Sequence, residues 1–391
     1  MKLVITNGTV ITPFREIPNG SVIVENGKIT GIQTGTVSTE GAQVVDAGGN
    51  YISPGFIDIH IHGGGGADFM DGTVDAFLTI AETHARYGTT SMVPTTLTAE
   101  KEDLLLTLDI YKEACAANTK GAEFIGIHLE GPYFALSQRG AQDPRYIRNP
   151  DPAEYEEILA YSDDIVRWSA APELKGAIEF GRRLRDKGIL AAVAHTDAKY
   201  EHVVEAWDNG YTLATHLYSA MSGVHRENAF RYAGTIESAF LLDMDVEIIG
   251  DGIHLPAPLL QLIYKIKGAD KTALITDAMR GAGMPEGEST LGSLKNGLKV
   301  IIEDGVAKLP DRTSFAGSVA TFDRLVRNMI NLGGVNVREA VRMASTTPAR
   351  IMGVDDKKGS IQVGKDADIV VFDSSINVQH TIVKGNLIYT S

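Results

Sequence analysis

Pro54-Gly-Phe-Ile-Asp-Ile-His-Ile-His-Gly-Gly-Gly-Gly66 is an apolar run that ends in two histidines and then in four glycines. Read as a buried strand over residues 57–61, it puts Asp58, His60 and His62 on one side, because residues two apart in a strand share a face. On a helix, positions two apart diverge, and the two imidazoles could not meet on one ion. His-x-His on a strand, followed by a glycine loop that lets a ligand approach closely, suits the opening of a metal site. The plain alternative is a polar strand whose histidines are satisfied by hydrogen bonds. The rest of the chain decides between the two.

Outward from this stretch, short apolar runs recur at 55–61, 89–93, 123–129, 165–170, 189–194, 211–215, 246–249 and 272–276. Helical stretches lie between them, at 74–87, 104–117, 175–187 and 257–266 among others. Eight strand–helix units over about 300 residues predict an α/β fold of the (β/α)8 TIM-barrel kind rather than an open doubly wound sheet. No Gly-x-Gly-x-x-Gly follows the first strand to suggest a dinucleotide fold. Both ends of the chain read differently. Residues 2–51 hold short β-branched runs separated by the turn pairs Asn7-Gly8, Asn19-Gly20 and Asn26-Gly27. The tail from Gly359 again alternates strands with glycine turns. The expected division is a small β-sandwich domain built from residues 1–52 and 357–391, around a barrel domain of residues 53–356.

Charge narrows the partners. The 36 basic against 50 acidic residues leave a net charge of -14, with no basic run, so neither nucleic acid nor an anionic membrane is an expected partner. The first residues lack an apolar signal core, and no apolar run is long enough to span a bilayer. The single cysteine, Cys115, permits no intrachain disulfide and suits a reducing compartment. A cytoplasmic protein is expected.

On the predicted barrel the polar residues gather at one end. His60 and His62 close the first strand, Glu130 the third, His195 the fifth, His216 the sixth and Asp277 the eighth; Asp251 and His254 follow the seventh. Barrel enzymes place their chemistry at the C-terminal ends of the strands. Four histidines, a Glu and an Asp at that end indicate a site for zinc or a similar divalent ion. An ion with an open position lowers the pKa of bound water to roughly 7 and polarises a carbonyl. A carboxylate beside that water can carry its proton to a leaving group, and Asp277 is the candidate. The chemistry indicated is hydrolysis at a carbonyl or amidine-like carbon. His128 shares a face with Glu130 and reads as structural. His84, His202 and His380 read as non-functional, and Trp168 and Trp207 as packing residues.

The His60-x-His62 pair, His195 with His216, and Asp277 together resemble the amidohydrolase superfamily. So does the run Thr346-Thr-Pro-Ala-Arg-Ile-Met-Gly353, which leads back to the sheet domain. Within it, His128-Leu-Glu-Gly-Pro132, Thr215-His-Leu-Tyr-Ser-Ala-Met221, Asp251-Gly-Ile-His254 and Thr276-Asp-Ala-Met279 resemble the members that deacetylate amino-sugar phosphates. The resemblance implies one or two divalent ions per subunit, zinc foremost, with Fe, Mn or Co as alternatives. Glu130, His195 and His216 would hold the common ion, and His60 and His62 match members with a second position. It implies Asp277 as general base, then acid, and as a metal ligand, with His254 binding or polarising the acetyl carbonyl. Ala141, Gln142, Ser219, Ala220, Phe315, Ala316 and Gly317 would contact the sugar, and Arg226, assisted by His225, its phosphate. The expected reaction removes acetate from a 6-phosphorylated N-acetylglucosamine, in amino-sugar catabolism. Alternatives are the galactosamine epimer, a cyclic amide, or a non-catalytic scaffold, against which the full set of ligands argues. A homodimer is expected from the superfamily only. Three positions depart from the pattern. Gln142 stands where some members have a histidine, Ser219 replaces a common Asn, and Val224-His-Arg-Glu-Asn228 lacks the usual Pro-Gly.

Overall fold

A computed structural model describes residues 2–391. Its centre is a ring of eight parallel strands: β1 (Phe56–Ile61), β2 (Thr89–Pro94), β3 (Ile127–Glu130), β4 (Ile165–Ala170), β5 (Leu190–Val193), β6 (Tyr211–Ala214), β7 (Asp245–Ile249) and β8 (Thr272–Ile275). Every residue of β1 is buried, as a strand covered on both faces requires. β1 pairs with β2, and β3 to β8 pair in sequence order, all in parallel. Two seams close the ring. A bridge between Thr95 and His128 joins the ends of β2 and β3. Between β8 and β1, Asp277 N donates to His60 O at 2.9 Å. Below that bond Asp58 accepts from Thr276 N at 3.2 Å and from its hydroxyl at 2.5 Å. Burial lifts the Asp58 carboxyl to about 7, against these hydrogen bonds. The expected (β/α)8 barrel is therefore present.

Helices Val74–Ala85, Lys101–Ala117, Pro152–Tyr161, Ala177–Asp186, Tyr200–Asp208, Thr235–Leu241, Ala257–Lys267 and Phe322–Asn331 each follow one strand. The run read as one strand over 123–129 is two pieces: Glu123–Phe124 pairs with β2, and Gly126, at φ 117°, turns the chain into β3. A three-stranded antiparallel sheet (Gly287–Leu291, Leu298–Glu303, Val306–Lys308) follows β8 and has no counterpart in the sequence reading. Its strands are short and broken by Gly292, Gly297 and Gly305, so they show no sustained period. Among the described residues no helix is long and apolar enough to cross a membrane.

The terminal segments form one continuous eight-stranded sheet that folds over its own core rather than two separate sheets. Its centre is Lys2–Ile11, paired on one side with Glu16–Glu25 and on the other with Gln43–Asp46 and Tyr51–Pro54. Ile369–Phe372 adds to Tyr51–Pro54 and brings in the C-terminal strands. At the far edge, Ile29 N donates to Lys365 O at 2.9 Å, so the sheet returns on its own C-terminal segment. Only Asn26-Gly27 is a hairpin turn, with φ of 50° and 78°. Asn7-Gly8 and Asn19-Gly20 are instead bulges facing each other inside two ten-residue strands. An Asn at positive φ followed by Gly serves a bulge as well as a turn.

The chain passes from sheet to barrel at Gly55, between Tyr51–Pro54 and β1, where its N–H donates to Asp368 O at 2.9 Å. A Cβ there would lie 2.2 Å from both Cγ2 and Oγ1 of Thr90. Gly55→Ala is therefore expected to destabilise the protein by about 1–3 kcal/mol, the usual cost of overpacking. A urea midpoint equal to wild type would contradict this contact.

Candidate active site

Strand geometry delivers the site. His60 and His62 leave β1, Glu130 ends β3, and His195, His216 and Asp277 each sit two residues past β5, β6 and β8. The last three hold φ of 46°, 31° and 46°. Non-glycine residues there cost about 1–3 kcal/mol each and persist where surrounding structure imposes them.

Glu130 is the hub. Its Oε1 lies 3.1 Å from His216 Nε2, 3.3 Å from His60 Nε2 and 3.4 Å from His195 Nε2. Oε2 lies 3.5 Å from His62 Nε2. Asp277 Oδ1 is 3.1 Å from His62 Nε2 and 3.6 Å from His60 Nε2. Two overlapping ligand groups result, His60/His62/Glu130 and Glu130/His195/His216, all buried.

The donor set fits a cation. His195 Nδ1 is 2.8 Å from Gln138 O, and His62 Nδ1 is 3.2 Å from Thr95 O. A carbonyl only accepts, so each Nδ1 carries the hydrogen and each Nε2 turns a lone pair inward. His60 and His62 also point Nε2 at each other, 3.3 Å apart. Lone pairs facing one another and a carboxylate need a positive charge between them. Protons supply it otherwise: burial opposes a charge on His60, yet Glu130 and Asp277 hold its pKa at about 10. Burial likewise pushes both carboxyls up, and the imidazoles reverse this, leaving Glu130 well below and Asp277 below the usual range. A third acidic group, Glu123/Asp366/Asp368, is different. Lys358 Nζ already lies in it, 2.5 Å from both Glu123 and Asp368.

Beneath the cluster lies a network the sequence reading missed. Arg167, fully buried, pairs with Glu247 and donates to Ile59 O at 3.1 Å and Thr215 Oγ1 at 2.8 Å. Glu247 Oε2 stands 3.7 Å from His60 Nδ1. The signal was an arginine and a glutamate inside largely apolar strands. Buried charges of this kind are found paired.

His62, Glu130, His195, His216, His254 and Asp277 line a cleft of about 900 Å³, open to solvent. Ala141, Gln142, Ser219, Ala220, Phe315 and Gly317 line it too, as do Leu97, Tyr218 and Leu291, which the sequence reading did not single out. Ala316 is fully buried behind that wall. His254 Nδ1 donates to Asp251 Oδ2 at 2.7 Å, and its ring packs on Phe315 at 4.7 Å.

Two expectations are placed elsewhere. His225 and Arg226 lie on a hairpin, His225–Glu227 against Phe230–Tyr232, and do not line the cleft of this chain. Backbone pairing of Arg226 with Arg231 holds the loop in that hairpin, with Arg226 exposed. The glycine loop after His62 does not open for a ligand. Gly63–Gly64 pairs with Ala67–Asp68, and a Cβ on Gly64 would lie 2.4 Å from His84 Nε2. Those glycines serve close backbone packing. His84 hydrogen-bonds Gly63 O at 3.0 Å, and burial lowers its pKa to about 4. His128 hydrogen-bonds Ser169 Oγ at 2.7 Å inside the barrel, and Trp168 donates to Gly131 O at 2.8 Å in the core.

The amidohydrolase family model matches residues 51–388. An N-acetylgalactosamine-6-phosphate deacetylase of Escherichia coli O157:H7 is 35% identical over 93% of this chain and 93% of its own. An N-acetylglucosamine-6-phosphate deacetylase of Bacillus subtilis is 34% identical over 100% of this chain and 98% of its own. The solved structure of an aspartate-to-alanine mutant of the Mycobacterium smegmatis N-acetyl-D-glucosamine-6-phosphate deacetylase, in complex with that sugar phosphate, is similar with a TM-score of 0.90. It shares 30% identity and covers 100% of this chain and 99% of its own.

The two ligand groups predict an unequal loss of metal. Replacing His60 and His62 together by Asn should remove at most one equivalent of zinc by elemental analysis. Replacing His195 and His216 should remove the more tightly held one. Loss of all metal from the His60/His62 variant would reverse this order.

Proposed function

The chain belongs to the amidohydrolase family, and from that premise we infer that it hydrolyses the acetamide of N-acetylglucosamine 6-phosphate to glucosamine 6-phosphate and acetate. The observation that carries this reading is the convergence, in one cleft, of the Glu130-centred ligand groups with Asp277 and the Asp251–His254 pair. Relatives acting on both epimers share nearly equal identity with this chain, 35% and 34%, so identity does not choose between them. The glucosamine epimer is the main reading.

Glu130, His195 and His216 would hold one divalent ion, zinc foremost, and His60, His62 and Glu130 would hold a second. Such an ion, when bound, polarises a carbonyl and makes water more acidic at neutral pH. The rest is the work of side chains. Asp277, held ionised, accepts a proton as water adds to the acetyl carbon, and returns it to the amide nitrogen as the C–N bond breaks. Acetate and a free amine leave, and Asp277 is ready again. Asp251 accepts the Nδ1–H of His254 and fixes its ring at the cleft wall, where His254 binds or polarises the acetyl carbonyl. Ser219, Ala220 and Phe315 flank the sugar.

Asp277→Asn should lower kcat by at least ~10²–10⁴-fold with fold and metal content unchanged. Near-normal turnover would remove Asp277 from the mechanism. Steady-state assay on the acetamido sugar phosphate against hydantoin, dihydroorotate and cytosine separates the main reading from a cyclic-amide hydrolase.

The phosphate needs local positive charge, since the net charge is -14. Arg226 is proposed for it. From its hairpin it reaches a cleft only if the hairpin folds inward or a second copy presents it. The phosphate is remote from the scissile amide, so the loss falls on KM. Arg226→Ala should raise KM for N-acetylglucosamine 6-phosphate strongly and leave the poor turnover of unphosphorylated N-acetylglucosamine unchanged. Equal loss on both sugars would mean that Arg226 only supports the loop.

A further inference from the structure

We infer that Gln142 is a positioning residue of the metal centre, whose amide locks Glu130 with Oε1 turned to His195 and His216. The inference rests on the reading of the Glu130 cluster as a metal site. Gln142 is 4% exposed. Its Oε1 accepts from the backbone N and from Oγ1 of Thr98, both at 2.9 Å. A backbone N–H can only donate, so the amide cannot be flipped. Its oxygen must face Thr98, and its nitrogen must face Glu130. Nε2 then donates to Glu130 Oε2 at 2.7 Å.

The donor falls on one carboxylate oxygen and not the other. Oε1 has the Nε2 atoms of His216, His60 and His195 around it, at 3.1, 3.3 and 3.4 Å. A glutamate is free to rotate about its last torsion and exchange the two oxygens. A charge-assisted hydrogen bond to Oε2, anchored twice on Thr98, removes that freedom. It also occupies part of the oxygen that faces His62. The two carboxylate oxygens are therefore used unequally: Oε1 is left for His216, His60 and His195, while Oε2 is divided between the amide and His62. Outer partners that orient a ligating carboxylate are worth about 10–100-fold in metal affinity.

Gln142 also lines the cleft, so a contact to the sugar is the competing role. The two roles act on different quantities. A sugar contact acts on KM, whereas a positioning residue acts on the affinity of the ion with no substrate present.

The test is the affinity of the metal-free protein for Zn²⁺ alone, measured by competition with a chromophoric chelator. Wild type is compared with Gln142→Met, which keeps the volume but has no amide, and with Thr98→Val, which removes the hydroxyl anchor and leaves Gln142 and Glu130 in place. Gln142→Met should bind its tightest Zn²⁺ about 10–100-fold more weakly. Thr98→Val should shift the same way by less, with its KM at saturating zinc little changed. If Gln142→Met does not fold, as judged by circular dichroism, Thr98→Val carries the test. Wild-type Zn²⁺ affinity in the folded variants would overturn the inference, and a raised KM beside it would make Gln142 a sugar contact. Wild-type protein that bound no Zn²⁺ would overturn the metal reading itself.

Discussion

One carboxylate, Glu130, is approached by the Nε2 atoms of four histidines at 3.1–3.5 Å. Much of the surrounding structure is needed to keep it there. A buried anion costs several kcal/mol unless it is neutralised, and the two imidazoles whose tautomers are fixed, His62 and His195, turn lone pairs toward it. The arrangement makes sense around a cation. The barrel supplies the directions: parallel strands end together, and five of them contribute a residue of the cluster at that edge. Left-handed backbone at His195, His216 and Asp277 then turns these residues over the mouth.

The interior below is polar where a barrel core is ordinarily aliphatic. Arg167 and Glu247 neutralise each other, and Arg167 also ties β4 to Ile59 O in β1 and to Thr215 beyond β6. Removing one member of such a pair is far more damaging than replacing both by well-packed apolar side chains. The network thus stiffens the floor on which His60 stands. Its carboxylate also comes within ion-pair distance of the cluster, Glu247 Oε2 standing 3.7 Å from His60 Nδ1.

The barrel and the strand-end cluster were legible in the sequence because two simple rules apply to them. Apolar runs mark strands, and a polar residue at the end of each run must face the mouth. His60-x-His62 carries this in three residues. Less was legible where one residue pair serves two geometries. Asn7-Gly8 and Asn19-Gly20 look like hairpin turns but are bulges, because the residues around them stay paired. The glycines after His62 suggested room for a ligand and instead admit His84. The hairpin bearing Arg226 and the sheet after β8 are built from strands of three to six residues, too short to show a sustained period. Gln142 was singled out by resemblance alone, and its bond to Glu130 is a fact of three dimensions.

The central claim is that this cation-dependent cluster hydrolyses an acetamide on a sugar phosphate. The most direct measurement is acetate release from N-acetylglucosamine 6-phosphate by the purified protein as isolated, after exhaustive chelation, and after return of zinc. The account predicts acetate and free amine in equal amounts, loss of both on chelation, and recovery with zinc. Acetate release that survives removal of all metal would contradict it.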